Sequence, residues 1–352
     1  MVCALLLSAC QGGDREGGEA RPPGPDASSV PDATEPQDAA QDTSPPVEDA
    51  QVSDAQDSGT NDGDGQDEPG FEWTALELGD GQVARGELLK VFDHNIWWAP
   101  EARMTFALFD GAGFADYPDD RSVRLIDAAE VTRAWFEPAP SDAIRYSDFA
   151  VQQGVVLRQP PLEGLSHVLT AHESYHLEEY GYGDFAWDLV VTDEVGRRFE
   201  GDGSRNEDYL VWDREVFLPT GGWVIEVERD APDNSPGQWT LEDTNNLVGV
   251  ALGGHYYLYL LHFRQGTIPF GVQEGTYLEQ GAYLGRVGNS GVSHEPHLHV
   301  AVVWYDVLAD PPRSWAVPVK WADLEVSPSP HGPFEAHGLV EPPSKAWLRP
   351  AP

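Results

Sequence analysis

Two histidines separated by a single residue, His297 and His299, are the strongest sign of chemistry in the sequence. They stand at the start of the apolar run Val300 to Trp304, which is typical of a β-strand. Side chains two residues apart on a strand point to the same face, so both imidazoles lie on one side of a sheet. Such a pair can share a metal ion or divide the work between metal and substrate, but ordinary hydrogen bonds also explain many such pairs. The pair alone therefore leaves a catalytic and a packing interpretation open.

The pair lies in a longer motif, GNSGVSHEPHLHV (288–300), in which a Gly-Asn-Ser-Gly turn leads into Pro-His-Leu-His. This motif resembles the C-terminal signature of the lysostaphin/LytM endopeptidases. Upstream, 253–291 resembles the preceding hairpin, with a strand ending Leu-His and then Gly-x-x-Leu-Gly-x-Val-Gly-Asn-Ser-Gly. EDYLVWDREVFLPTGGWVIEVE (207–228) and SYHLEEYGYGDFAWDLV (174–190) resemble still earlier segments. The resemblance runs in the family's order from Ser174 to Val303.

The resemblance implies a site for one zinc ion per chain. His299 would bind the metal together with His176 and Asp188, and a fourth position would be left for water, as in catalytic zinc sites. Asp188 lies in the apolar run 185–190, where a buried carboxylate without a metal or charge partner would be costly. His176 and Asp188 are farther apart in sequence than the equivalent residues of the family's best-known members. His172 and Asp184 therefore stay open as substitutes.

His262 and His297 match the family's two active-site histidines that do not bind the metal. In the chemistry that the resemblance implies, zinc polarises the scissile carbonyl and lowers the pKa of water. One imidazole would accept the water's proton, and the other would hydrogen-bond the oxyanion and help protonate the leaving amine. Which imidazole does which stays open. His255 and His294 are close in sequence, but neighbours on a strand or turn often face away, so we expect no direct role for them.

These residues need a sheet to bring them together, and the sequence predicts one. Short apolar or alternating runs are separated by Gly, Pro and Asp, and long helical periodicity is absent. The predicted fold class is all-β, with an antiparallel metallopeptidase domain over 166–326. A small β-rich region of open role (71–165) precedes it, and a C-terminal extension (327–352) follows. The strands predicted within the domain are Phe185–Val191, Trp223–Glu228, Leu247–Leu252, Tyr256–Phe263, Ala282–Val287 and His297–Tyr305.

The first 70 residues have a different composition. Residues 11–70 contain 16 acids, two arginines and no aromatic residue, which predicts a disordered acidic linker because too little apolar surface is available for a core. The run from Leu5 to Cys10 resembles a bacterial lipoprotein signal (1–10), in which Cys10 is acylated. With Cys3 inside that signal, no cysteine is left for a disulfide. We therefore expect an exported, lipid-anchored protein at the cell surface or outer membrane.

The overall charge of the chain argues against one class of function. A net charge of −39 argues against nucleic-acid binding, which needs a basic surface. The predicted function is a monomeric zinc metalloendopeptidase that hydrolyses amide bonds in the stem or cross-bridge peptides of peptidoglycan. One alternative is a catalytically silent envelope module that binds the cell wall or activates another hydrolase, and another is a zinc peptidase acting on proteins. The 12 tryptophans and 12 tyrosines could line a glycan-binding groove, but we expect most of them in sheet cores.

Overall fold

The structure, a computed structural model, describes residues 72–92, 105–109, 123–171, 185–238, 245–306 and 313–352. All of these belong to one compact unit. Several predictions lie outside the described residues: the signal segment 1–10 with Cys10, the linker 11–70, and the residues His172, His176 and Asp184. Across the described ranges, no helix combines the length and apolarity needed to cross a bilayer.

The described residues form three sheets and one short α-helix, α1 (Tyr146–Gln152). The first sheet consists of β1 (Glu72–Leu78), β2 (Val83–Phe92), β3 (Thr105–Phe109), β4 (Val123–Asp127) and β5 (Val131–Pro138). The largest consists of β6 (Val156–Leu157), β7 (Ser166–Ala171), β8 (Trp187–Val190), β10 (Gly222–Glu228), β11 (Leu247–Gly253), β12 (Tyr256–Leu261), β13 (Tyr277–Leu278), β15 (Leu298–Asp306), β16 (Arg313–Ala316), β17 (Lys320–Ser327), β18 (Glu335–Val340) and β19 (Trp347–Pro350). The third pairs β9 (Glu215–Phe217) with β14 (Tyr283–Arg286).

The five-stranded sheet has the order β4-β3-β2-β1-β5, with antiparallel neighbours throughout. Leu76, Ala84, Leu108 and Ile126 form a small apolar cluster on it. Its Phe109 ring also packs against Tyr146 of α1, at 5.0 Å between ring centroids. Phe109 therefore joins the main hydrophobic core, which links this sheet to the rest of the unit.

Strands β10, β11, β12, β15, β8 and β7 are consecutive neighbours at the centre of the large sheet. The side chains of β12 and β15 alternate between two faces, as their period of two requires. Leu258 and Leu260 face the core together with Val300 and Val302, which lie directly opposite them. Burying each such side chain stabilises the fold by about 1.5–3 kcal/mol. The other face carries the residue between Leu298 and Val300, namely His299.

The prediction of an all-β, antiparallel fold is confirmed. Among the described pairs of the large sheet, only the short contact between β6 and β17 is parallel. Two of the tryptophans expected in sheet cores, Trp187 and Trp321, are fully buried, with ring centroids 5.4 Å apart. Trp223 differs, because more than half of its surface is exposed.

The C-terminal residues, predicted as an extension, add two strands to the large sheet. Strand β19 pairs with β17 on one side and with β7 on the other. Its Leu348 is fully buried in the main core, and the indole N–H of Trp187 donates to the Pro342 carbonyl at 3.0 Å. Since β7 pairs in turn with β8, the tail supports the strand that carries Asp188.

Candidate functional site

Asp188 and His299 face each other across two neighbouring strands. They are directly opposed in the antiparallel pair β8–β15, so their side chains project from the same face. His299 Nδ1 lies 2.9 Å from Asp188 Oδ1, and both residues are buried. The other carboxylate oxygen, Oδ2, accepts a hydrogen bond from the Thr170 hydroxyl of β7 at 3.0 Å. Thr170 thus fixes the carboxylate with Oδ1 towards His299.

His262 joins this face from the end of β12. The preceding residue, Leu261, is opposite His299, and His262 then leaves the strand with a positive φ of 70°. Its backbone N–H donates to Asn245 Oδ1 at 3.0 Å. Its Nδ1 lies 2.8 Å from the Ser290 carbonyl oxygen, which can only accept, so Nδ1 carries the proton. In the neutral ring, Nε2 is then the lone-pair nitrogen.

His297 is held in the same way by the loop that precedes β15. Its Nδ1–H donates to the backbone carbonyl of Glu295 at 2.8 Å. Its Nε2 lies 3.4 Å from Asp188 Oδ1, and its ring is 4.5 Å from that of His262 between centroids. In the described site, Asp188 therefore contacts His297 and His299, and the His262 ring lies next to both of these rings.

The turn 288–291 fixes the distance between these groups. Gly288 donates its N–H to the His262 carbonyl at 2.8 Å, and a Cβ added to it would lie 2.3 Å from the Arg264 nitrogen. Gly291 has a φ of 76°, where side chains are strained, and it packs against Asn245. The two glycines of the Gly-Asn-Ser-Gly turn are thus required by close approach and by backbone conformation.

Burial and charge move the pKa values of the two histidines in opposite directions. For His262, burial and the neighbouring His297 and His299 disfavour the charged ring, so its pKa is well below the usual value. For His297, burial also disfavours the charge, but the Asp188 carboxylate and the hydrogen bonds to Asp188 and Glu295 outweigh it, so its pKa is raised. The site therefore favours a neutral His262 next to a more basic His297.

The donor set is chemically suited to zinc. Imidazole nitrogens and carboxylate oxygens are zinc's usual ligands besides thiolates, and two donors on one tetrahedral zinc ion are about 3.3 Å apart. The 2.9 Å between His299 Nδ1 and Asp188 Oδ1 is close to that separation. Ligand atoms of His262, His297 and His299 also lie within 4.8 Å of one another, which would allow a different, all-histidine set.

Four of the five predicted site residues thus come together: Asp188, His262, His297 and His299. The fifth, His176, lies outside the described residues. His255 and His294 are not in the histidine cluster. Sequence reasoning missed the residues that orient the site, namely Thr170, Asn245, Ser290 and Glu295. Ser290 and Glu295 act through main-chain carbonyls, and Thr170 and Asn245 act from a distant strand and a distant loop. No residue-type signal in the sequence indicates either kind of contact.

Comparison with known proteins identifies the class. Residues 213–311 match Peptidase family M23. This match confirms the resemblance to lysostaphin/LytM-type peptidases within those residues. This family assignment supports a metallopeptidase-type domain. No curated protein matches the chain.

Three solved structures illustrate what this chain is similar to. A zinc-containing peptidase from Vibrio cholerae is 14% identical, with 56% of this chain and 43% of that chain covered and a TM-score of 0.26. Csd3 of Helicobacter pylori is 12% identical, with 57% and 36% covered and a TM-score of 0.26. Lysostaphin is 14% identical, with 48% and 75% covered and a TM-score of 0.23. The chain spans less than half the length of the first two.

Proposed function

We propose that this protein is a zinc metalloendopeptidase that cleaves amide bonds in the stem or cross-bridge peptides of peptidoglycan. The observation that supports it best is the alignment of Asp188 opposite His299, with His262 and His297 in contact on the same face. Burying a carboxylate together with three imidazoles costs free energy, which is unusual for a cluster that has only a structural role. Such clusters are ordinary for a site that binds a metal and moves protons.

In the proposed site, Asp188, His299 and His176 hold the zinc ion, and His262 and His297 do not bind it. When bound, zinc would supply Lewis-acid polarisation of the scissile carbonyl and of water. The alternative set of His262, His297 and His299 lacks the carboxylate, although Asp188 is the group that His299 contacts at 2.9 Å. The contact favours the set that includes Asp188.

The two remaining imidazoles transfer protons. Hydrogen bonds to the Ser290 and Glu295 carbonyls keep the Nδ1 proton in place, so the proton exchanged with reactants is at Nε2 of each ring. A neutral His262 can accept a proton at Nε2. His297, whose Nδ1 proton is held by the Glu295 carbonyl, can when protonated present an Nε2–H to a developing oxyanion and then protonate the departing amine. This assignment of roles belongs to the proposal.

The substrate and the location of the protein are also part of the proposal. Lysostaphin/LytM-type enzymes are peptidoglycan-directed, which motivates wall peptides as the substrate. A lipid anchor at Cys10 would hold the domain beyond the linker 11–70 at the cell envelope, as a monomer. The domain boundaries at 165 and 326 likewise remain predictions.

The test is digestion of purified peptidoglycan by the zinc-loaded protein, with new amino groups and released muropeptides measured by mass spectrometry. Casein, a protein that most proteases cleave readily, serves as the second substrate, and His297→Ala serves as the inactive control. Cleavage of wall peptides by the wild type alone supports the proposal. Cleavage of casein without wall peptides would favour a peptidase acting on proteins. Binding to peptidoglycan without any cleavage would favour a silent module and contradict the proposed activity.

A further inference from the structure

A short hairpin that precedes the M23-matched residues lies against the loop of His297. Residues 198–210 fold back on themselves through an antiparallel bridge between Phe199 and Tyr209, whose rings are 5.2 Å apart. The Leu210 N–H donates to the Arg198 carbonyl at 2.9 Å, which closes the hairpin. Gly203 lies under the Phe199 ring, where an added Cβ would be 3.0 Å from it. The hairpin is therefore packed internally.

Two side chains of the hairpin contact Glu295, which is two residues before His297. The Arg198 guanidinium forms an ion pair with the Glu295 carboxylate, and both side chains are partly buried. Burial raises the pKa of Tyr209, and the Glu295 carboxylate, which its hydroxyl hydrogen-bonds, acts in the same direction. Partial burial reduces solvent screening, so this ion pair is worth more than an exposed one. The side chain of Glu295 is thus held from the hairpin side.

The backbone of Glu295 faces the site. Its carbonyl oxygen accepts the Nδ1–H of His297 at 2.8 Å and the Ser293 hydroxyl at 3.0 Å. Holding the Glu295 side chain restricts the orientation of this carbonyl. The carbonyl in turn selects the His297 tautomer with the proton on Nδ1 and sets the angle of the ring.

The far end of the hairpin supports the neighbouring turn. Asn206 Nδ2 donates to the Asn234 carbonyl at 2.7 Å. The Asn206 side chain also lies 3.0 Å from that of Asn289, in the turn next to Ser290. Since the Ser290 carbonyl accepts the Nδ1–H of His262, the hairpin also contacts the turn that supports this second imidazole.

We infer that Arg198 and Tyr209 are positioning residues for His297, acting through Glu295. The inference rests on the proposed function and adds residues outside the segment 213–311. Neither side chain is a catalytic residue, since each acts on the reaction only through the Glu295 carbonyl and the imidazole that it orients. Small displacements of a proton-transferring group slow the chemical step more than they weaken substrate binding.

The test compares Arg198→Met, Arg198→Lys and Tyr209→Phe in the full-length, zinc-loaded protein. With a soluble peptidoglycan peptide as substrate, kcat of Arg198→Met should fall roughly tenfold, with KM and zinc content unchanged. Arg198→Lys keeps the charge and should recover part of kcat. Tyr209→Phe removes only a hydroxyl, so it tests the same contact if Arg198→Met does not fold. The matched control is Arg197→Met, because Arg197 is exposed and pairs with Asp193.

A second readout does not depend on turnover. In spectra of the ¹⁵N-histidine-labelled protein at fixed pH, the Nδ1–H signal of His297 should weaken or shift in Arg198→Met and stay unchanged in Arg197→Met. An unaltered signal together with kcat within twofold of the wild type would overturn the inference. If the wild type hydrolyses no peptide, the proposed function fails, while the histidine spectra still decide whether Arg198 positions the ring.

Discussion

At the scale of single residues, the site is defined by which nitrogen of each imidazole is already engaged. His262 and His297 each give Nδ1–H to a main-chain carbonyl, whereas Nδ1 of His299 faces the Asp188 carboxylate. The hydrogen-bond partner of Nδ1 therefore distinguishes two groups of histidines. Those held by carbonyls are suited to proton transfer at Nε2, and His299 is suited to sharing a cation with a carboxylate.

This division predicts different outcomes for alanine variants. His299→Ala and Asp188→Asn should each lose the roughly one zinc ion per chain, since each removes a ligand. His262→Ala and His297→Ala should keep zinc and lose activity by about 10²–10⁴-fold, the usual contribution of a positioned acid or base. Zinc content by inductively coupled plasma mass spectrometry and turnover on a peptidoglycan peptide measure both effects.

His255→Ala is the control for these variants and should leave both measurements unchanged. Loss of zinc in His262→Ala and His297→Ala, with zinc retained in Asp188→Asn, would instead identify the all-histidine cluster as the metal site. His176→Ala tests the proposed third ligand, and full zinc occupancy in that variant would rule His176 out.

At the scale of elements, the strands align the site residues and the turn 288–291 sets how closely the strands' ends approach. The register of β15 against both β8 and β12 places Asp188, His299 and Leu261 in one row. The turn then brings the Ser290 carbonyl to His262. Its glycines permit an approach that no other residue type allows without movement of the backbone.

The turn predicts a large effect of one added methyl group. In Gly288→Ala the new Cβ would meet the backbone nitrogen and Cα of Arg264 at 2.3 and 2.4 Å. We expect the free energy of unfolding to fall by about 1–3 kcal/mol, because backbone cannot move aside as a side chain can. Urea unfolding followed by tryptophan fluorescence measures the change. Gly271→Ala is the matched control, with nothing within 4 Å of its added Cβ; equal effects of the two changes would contradict the steric explanation.

The C-terminal strands give a second prediction at this scale. Leu348 of β19 is fully buried, whereas Leu339 of β18 is 44% exposed. Leu348→Ala should lower the free energy of unfolding by about 2–5 kcal/mol through the cavity it leaves. Leu339→Ala, the same substitution in the same tail, should cost at most about 0.5 kcal/mol. Thermal or urea unfolding of both variants provides the comparison, and a small effect at Leu348 would mean that β19 contributes little to the core.

At the scale of the whole molecule, the N-terminal sheet and the site-bearing sheet meet around α1. Glu87 of β2 accepts the backbone N–H of Tyr146 at 2.6 Å. Burial raises the pKa of Glu87 to about 7, with Glu341 and Asp148 acting in the same direction and the Tyr146 N–H and Arg145 opposing it. The folded protein therefore binds this proton more tightly than the unfolded chain, whose carboxyl has a pKa near 4.5.

A partly buried acid with a raised pKa makes stability depend on pH. Because its folded-state pKa is raised, its contribution is complete below about pH 4.5 and is lost as the pH rises through about 7. Glu87→Gln keeps the shape and cannot ionise. Between pH 5 and 8 the wild type should lose on the order of 1–2 kcal/mol more than Glu87→Gln, since partial exposure reduces the full effect. Urea unfolding at both pH values gives the difference, and parallel pH profiles would show that Glu87 does not titrate in this range.

The amino-acid sequence by itself determined the type of fold and the local part of the site, namely the segment that contains His297 and His299. The alternation of apolar residues predicts antiparallel strands, and a period of two predicts that His297 and His299 share one face. In the structure β15 begins one residue later than predicted, at Leu298, so the loop before the strand also orients His297. The Pro-His-Leu-His and Gly-Asn-Ser-Gly motifs identify the family because they encode a local turn and a local strand start. These features depend on neighbouring residues only, so they can be found without the fold.

Only the tertiary structure decided which distant groups complete the site. Asp188 is 111 residues before His299, and the two meet because β8, and not another strand, lies next to β15. The same arrangement brings Thr170 to Asp188, and the Ser290 and Glu295 carbonyls to the two imidazoles. It also allows the ion pair between Arg198 and Glu295. Sheet neighbours are selected by packing over the whole chain, with β19 inserted between β7 and β17 from the far end of the sequence. No pattern among neighbouring residues in the sequence predicts which strands become neighbours in the sheet.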